Sequence, residues 1–106
     1  MNIPAVVNAY FEADRGNDAE AIARAFATDA VLEDEGTRHQ GVGAIRAWWL
    51  AAKAKYRHVA EPIEMSRTGD EIAVRARVSG EFPNSPITLE FLFTVEGDKI
   101  VGLTIR

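Results

Sequence analysis

Apolar residues first recur at the helical period. Ile3, Val7, Tyr10 and Phe11 fall at i, i+4, i+7 and i+8, one face of a helix whose first turn suits Pro4. The polar run Arg15-Gly16-Asn17-Asp18 interrupts that face, with Gly16 placed as a C-terminal cap. Asn17, followed three residues later by Glu20, has the form of a capping box and predicts a short helix with Ile22, Ala25 and Phe26 inward. Residues 30–34 then change to strand alternation, and Glu35-Gly36-Thr37 reads as a turn. From Gly41 the helical period returns. Ile45, Trp48, Trp49, Ala52 and Tyr56 form one stripe, and Lys53, Lys55 and Arg57 crowd the last turn, where cations complement the helix dipole.

The second half follows the period of two and predicts strands at about 58–66, 71–80, 86–96 and 99–105. Tight turns at Arg67–Asp70 and Glu96–Lys99 join them, and the prolines of Phe82–Pro86 mark a loop, since they cannot donate to a ladder. Three helices with a short strand pair among them, then an antiparallel meander, make an α+β domain over residues 1–106. Ile87, Leu89, Phe91, Phe93 and Val95 share the side that the helices must cover. Glu64, Arg75, Arg77 and Glu90 share the outer face, where cross-strand ion pairs can form. Leu92 also lies there, and a half-apolar sheet face predicts a homodimer through that face.

Composition narrows the function classes. With 47% hydrophobic and 26% charged residues the chain can bury a core, so it is not a disordered polymer. No apolar run approaches the roughly 18 residues of a membrane span, and the first residues lack the pattern of a secretory signal, so a cytoplasmic protein is expected. A net charge of −4 argues against nucleic acid as a partner. Without cysteine, and with only two histidines far apart, no metal site is expected.

Three stretches carry a resemblance: "VVNAYFEADRGNDAEAIARAFATDAVLEDEG", "HQGVGAIRAWW" and "FLFTVEGDKIVGLTIR". In this order and spacing they resemble the NTF2-like superfamily, closest to its SnoaL-like and ketosteroid-isomerase-like branch. The resemblance implies a cone, a curved antiparallel sheet wrapped around three N-terminal helices, with an apolar pocket inside and dimerisation through the sheet. By motif, "VVNAYF" puts Tyr10 on the catalytic tyrosine of ketosteroid isomerases, and "VLED" puts Asp34 on their aspartate base. The position of their second oxyanion donor, a protonated aspartic acid, is Leu89 here, and Glu90 alternates to the other face. The polyketide-cyclase relatives imply an aldol closure by an acidic residue without metal or cofactor. The Asp–Arg–Asp set of limonene-epoxide-hydrolase relatives is missing, because Arg75 and Arg77 read as outward.

Alternation supports the same carboxylate independently. Leu32 and Asp34 share one face and Val31, Glu33 and Glu35 the other, so an inward Leu32 carries Asp34 inward. Desolvation raises the pKa of a carboxylate in an apolar cavity, as a general base near neutrality requires. The competing reading makes Asp34 a cap of the Glu35-Gly36 turn. His39, across the hairpin, can orient Asp34 or act as a second acid–base group, or it is a surface histidine at a strand end. His58 reads as structural or exposed. Tyr10 belongs to the core, with a hydroxyl that needs a partner if buried, and Trp49 stands where the family often has a supporting tyrosine. Phe26, Trp48, Trp49, Leu89, Phe91 and Phe93 are the candidate wall for a small apolar or aromatic molecule. The predicted function is cofactor-independent proton transfer (isomerisation, cyclisation or dehydration) on an apolar carbonyl compound, with Asp34 as base, Tyr10 as donor and His39 assisting. The alternative is a non-catalytic ligand-binding or dimerisation module.

Overall fold

A computed structural model describes residues 3–106. Helix α1 (Ala5–Arg15) begins directly after Pro4 and buries Val7, Tyr10, Phe11, Ala13 and Asp14. Its last residue is followed by Gly16 in a right-handed conformation, and the left-handed turn falls instead on Asn17, at φ 57°. The cap of α2 (Ala19–Ala25) is therefore Asp18, one residue later than the capping-box pattern placed it. Its carboxylate accepts from the Ala21 N–H at 3.1 Å. Phe26, expected in that helix, already starts a strand.

Strand β1 (Phe26–Asp34) returns through β2 (Thr37–Gln40). Both residues between them have positive φ, Glu35 at 53° and Gly36 at 76°, as a tight hairpin of right-twisted strands requires. Helix α3 (Val42–Tyr56) follows. Strands β3 (Val59–Thr68), β4 (Glu71–Ser79), β5 (Ile87–Glu96) and β6 (Lys99–Ile105) complete the sheet. The strand order is β2-β1-β6-β5-β4-β3. All neighbours are antiparallel except β1 and β6, because β6 enters between β1 and β5 running in the direction of β1. Register shifts at Pro62/Glu64, at Thr94/Val95 and between Phe26 and Val31 bend the sheet, which curves over the helices without closing.

The concave face supplies Ile72, Val74, Ala76, Phe91, Phe93 and Leu103 to the core, and the helices supply Val7, Tyr10, Phe11, Ile22, Ile45 and Trp49. Tyr10 and Phe11 meet Phe91 and Phe93 at ring-centroid distances of 5.3–6.3 Å, mostly edge to face. Truncating a ring buried like Phe93 costs about 3–5 kcal/mol. On the convex face Arg75 pairs with Glu64 at 3.5 Å and Arg106 with Glu90 at 3.1 Å, as alternation predicted for the outer side. No described helix is long and apolar enough to cross a membrane.

Candidate functional site

Between α1, the C-terminal half of α3 and the open end of the sheet lies a cavity of about 250 Å³. Its wall is mainly apolar, with Trp48, Leu89, Phe91 and Ile105 among the lining side chains. Tyr10, Asp14, Asp34, Glu35 and His58 bring polar groups into it.

Asp34 reaches the cavity by the alternation of β1, with Leu32 fully buried, Glu33 exposed and Asp34 half-buried. Trp48, in the second turn of α3, donates its indole N–H to Asp34 Oδ2 at 3.1 Å. Burial raises the pKa of Asp34 and the neighbouring Glu35 adds to the rise. The Trp48 hydrogen bond and the nearby His39 and His58 oppose it without cancelling it.

Tyr10 is 2% exposed, and its hydroxyl makes no side-chain hydrogen bond among the described residues. No buried side-chain polar atom is left without a partner there, so that hydroxyl opens onto the cavity. Burial lifts its pKa well above the usual tyrosine value, and the charges of Asp14 and Asp34 lift it further. It remains a neutral donor.

Asp14 was not among the candidates. It sits one turn beyond Tyr10 on the buried face of α1 and is 1% exposed. Its Oδ1 accepts from Trp49 Nε1 at 3.0 Å and meets His58 Nε2 at 3.0 Å, and its Oδ2 accepts from the Ala60 N–H at 3.2 Å. The Lys53 ammonium lies 3.2 Å from Oδ1. Burial by itself would raise the pKa of this carboxyl. The hydrogen bond and charge of His58, the charge of Lys53 and the Trp49 hydrogen bond outweigh it, so the net shift is downward and Asp14 is a carboxylate. An ionised Asp14 accepts the Nε2–H of His58, so Nδ1 is the acceptor nitrogen whenever that ring is neutral.

The two histidines stand differently towards the cavity. His39 sits on β2 opposite Leu32, outside the cavity wall, with its ring 6.1 Å from that of Trp48. His58, read as structural or exposed, has a side chain only 15% exposed and lines the cavity. Among the candidate wall residues Trp48, Leu89 and Phe91 face the cavity, whereas Phe26, Trp49 and Phe93 are core. Trp49 supports Asp14 rather than Tyr10. The signal for Asp14 was present: it continues the stripe of Val7, Tyr10 and Phe11 at i+7 from Val7, where an acid must be buried and partnered. For His58 the signal was its alternation with Ala60 at the start of β3. Tyr56 ends the apolar stripe of α3, whereas Phe82, which it meets edge to face at 5.9 Å beside the cavity, had no such pattern. Among the described residues no group of three or more acidic or histidine side chains is placed to hold a metal ion.

The family model for the SnoaL-like domain matches residues 7–103. A crystal structure of a Sinorhizobium meliloti protein with a provisional polyketide-cyclase assignment is 53% identical, with a TM-score of 0.96 over 98% of this chain and 95% of that one. A Catenulispora acidiphila protein of ketosteroid-isomerase-like fold, in complex with trimethylamine, is 21% identical with a TM-score of 0.86, over 99% of this chain and 86% of that one. A cystatin-fold protein from Novosphingobium aromaticivorans is 18% identical with a TM-score of 0.83, over 99% of each chain. No curated protein matches the chain.

Proposed function

The chain belongs to the SnoaL-like domain family of the NTF2-like superfamily, and from that membership and its cavity we propose cofactor-independent proton transfer on a small, largely apolar carbonyl compound. The observation that carries this reading is the Asp14–His58 contact at 3.0 Å sharing one apolar cavity with Asp34. The two carboxyls are pushed in opposite directions, Asp14 towards the ionised form and Asp34 towards the protonated one. Such divergence separates an acid from a base within a single site.

In this reading His58 Nδ1 removes a proton from the carbon beside the carbonyl, and Asp14 stabilises the imidazolium that forms. The electron pair moves onto the carbonyl oxygen, where the Tyr10 hydroxyl donates a hydrogen bond. Asp34, held in place by Trp48, delivers a proton to the product, on carbon for an isomerisation or on a leaving hydroxyl for a dehydration. Asp34 and Tyr10 thus stay in the site proposed from sequence, but Asp34 acts as the acid and His58 takes the part of the base that sequence gave to Asp34. The provisional cyclase assignment of the Sinorhizobium meliloti relative supports the same class of chemistry. The binding-only reading draws its support from Leu89, which leaves an enolate with one side-chain donor instead of two.

The test is proton exchange in D2O. Wild-type protein is expected to accelerate deuterium incorporation beside the carbonyl of at least one compound in a panel of apolar ketones and aldehydes, read by NMR. His58→Gln and Asp34→Asn should each reduce that rate by roughly 100-fold or more. Compounds that raise the melting temperature but never exchange would make this a binding module.

A further inference from the structure

Lys53 is a largely covered cation that the proton-transfer scheme does not use. Its side chain is 13% exposed, although it stands in the last turn of α3 beside the exposed Lys55. A last-turn lysine ordinarily complements the carbonyls of its own helix. This one crosses to two other elements. Its ammonium donates to the backbone carbonyl of Asp14 at 2.9 Å and to the backbone carbonyl of His58. Its remaining close partner is Asp14 Oδ1, at 3.2 Å, and its charge lies 5.3 Å from the centre of the Trp49 ring. Two of its hydrogen bonds and its ion pair thus all lead to the same two residues.

We propose that Lys53 is the positioning residue of the site, one ammonium that clamps the backbones of Asp14 and His58 together and holds the Asp14 carboxylate against the imidazole. The two residues it joins are 44 positions apart, at the end of α1 and the start of β3. The other link that Asp14 makes to β3 is its Oδ2 bond with the Ala60 N–H. The Asp14–His58 hydrogen bond cannot orient the ring unless both main chains are fixed, and Lys53 grips a carbonyl of each. The same charge keeps Asp14 an acceptor, so His58 presents Nδ1 and not Nε2 as its free nitrogen. Arginine cannot replace it, because a planar fork does not direct its N–H groups to two carbonyls and a carboxylate grouped around one point.

The proposal rests on His58 being the base, and its test separates the two ideas. The primary readout is the tautomer of His58, from long-range nitrogen–proton correlation spectra of the imidazole, which needs no turnover. The neutral ring in wild type should be the Nε2–H tautomer alone. In Lys53→Met, folded by circular dichroism, a mixture of tautomers is expected, with deuterium exchange of the carbonyl substrate about 10- to 100-fold slower and KM nearly unchanged. A folded Lys53→Met that keeps the single tautomer would overturn the proposal. If the tautomer shifts but no compound exchanges in wild type either, the clamp stands and the catalytic reading fails. A variant that does not fold leaves the wild-type measurement: the Lys53 ammonium should give a slowly exchanging nitrogen resonance coupled to the Asp14 and His58 carbonyl carbons. A wild-type ammonium that exchanges like those of exposed lysines also overturns the proposal.

Discussion

Replacing Asp14 by alanine tests the centre of the arrangement directly. The carboxylate is 1% exposed and serves Trp49, His58, Ala60 and Lys53. Alanine leaves the Lys53 ammonium without its counter-charge and leaves the Trp49 and Ala60 N–H groups without acceptors. Breaking a buried ion pair costs about 3–5 kcal/mol. Each orphaned N–H costs about 1–3 kcal/mol, but these penalties overlap with the first and are not summed. The expected loss is therefore about 4 kcal/mol, or a fall in melting temperature of about 15–30 °C for a chain of this size. Urea denaturation at pH 7 followed by circular dichroism measures it, with Asp14→Asn losing less because the amide oxygen keeps one acceptor. The pH dependence has a definite sign. The folded-state pKa of Asp14 lies below its unfolded value, so its contribution is complete above the unfolded value and is lost as pH falls through the folded one. Wild type should weaken from about pH 4 downwards, and Asp14→Asn should lack that part of the acid loss. A loss below about 1 kcal/mol for Asp14→Ala would refute the assignment of Asp14 as the hub.

Other outcomes follow from the same contacts. Trp48→Phe removes the donor that favours ionised Asp34, so the Asp34 pKa should rise further in a carbon-13 carboxyl titration, and an unmoved curve would disprove the contact. Asp34→Asn should stabilise the fold at neutral pH while abolishing exchange. The folded pKa of Asp34 is raised, so its carboxylate opposes folding above that pKa and is neutral to folding below the unfolded one, and the gain should vanish in acid. Glu35→Asn should add about 0.5–1 kcal/mol in urea denaturation, since asparagine before glycine suits two successive positive φ angles. For the convex face, where Leu92 lies half-buried beside Thr94 and Thr104, sedimentation velocity should find a dimer that Leu92→Lys dissociates; equal sedimentation of both proteins would count against pairing there.

Periodicity made most of the fold readable. The apolar stripes of α1 and α3 and the alternation of β4 and β5 each name one buried face, and the order of those segments carried the family resemblance. Asp34 was accessible in the same way, because a strand that buries Leu32 must also turn Asp34 inward. The histidines were not, for a physical reason. Whether a residue at a strand end faces a cavity depends on which partner the strand meets, and His58 faces inward because α1 places an acid opposite it. Asp14 shows the other limit. Its place on the apolar stripe of α1 was readable, but its partners lie 35 to 46 positions away, beyond any local pattern. The parallel β1–β6 pair was hidden too, since alternation reports a strand's faces and not its neighbours.

That pair has a consequence for how the molecule comes into being. Strand β6 follows the other five in sequence and lies third in the sheet, between β1 and β5. During synthesis the β1–β2 hairpin and the β3–β4–β5 meander emerge as two separate ribbons, each with an open inner edge that only β6 can cover. Loop closure over about seventy residues must precede the pairing of β1 with β6, a long-range contact of the kind that slows folding. Ile105, at the far end of β6, lines the cavity, so the chamber has no complete wall until the final strand docks. A nascent chain halted before residue 99 would hold Tyr10, Asp14, Asp34 and His58 without the seam that gathers them, exposing two sticky strand edges to whatever chaperone or neighbour reaches them first.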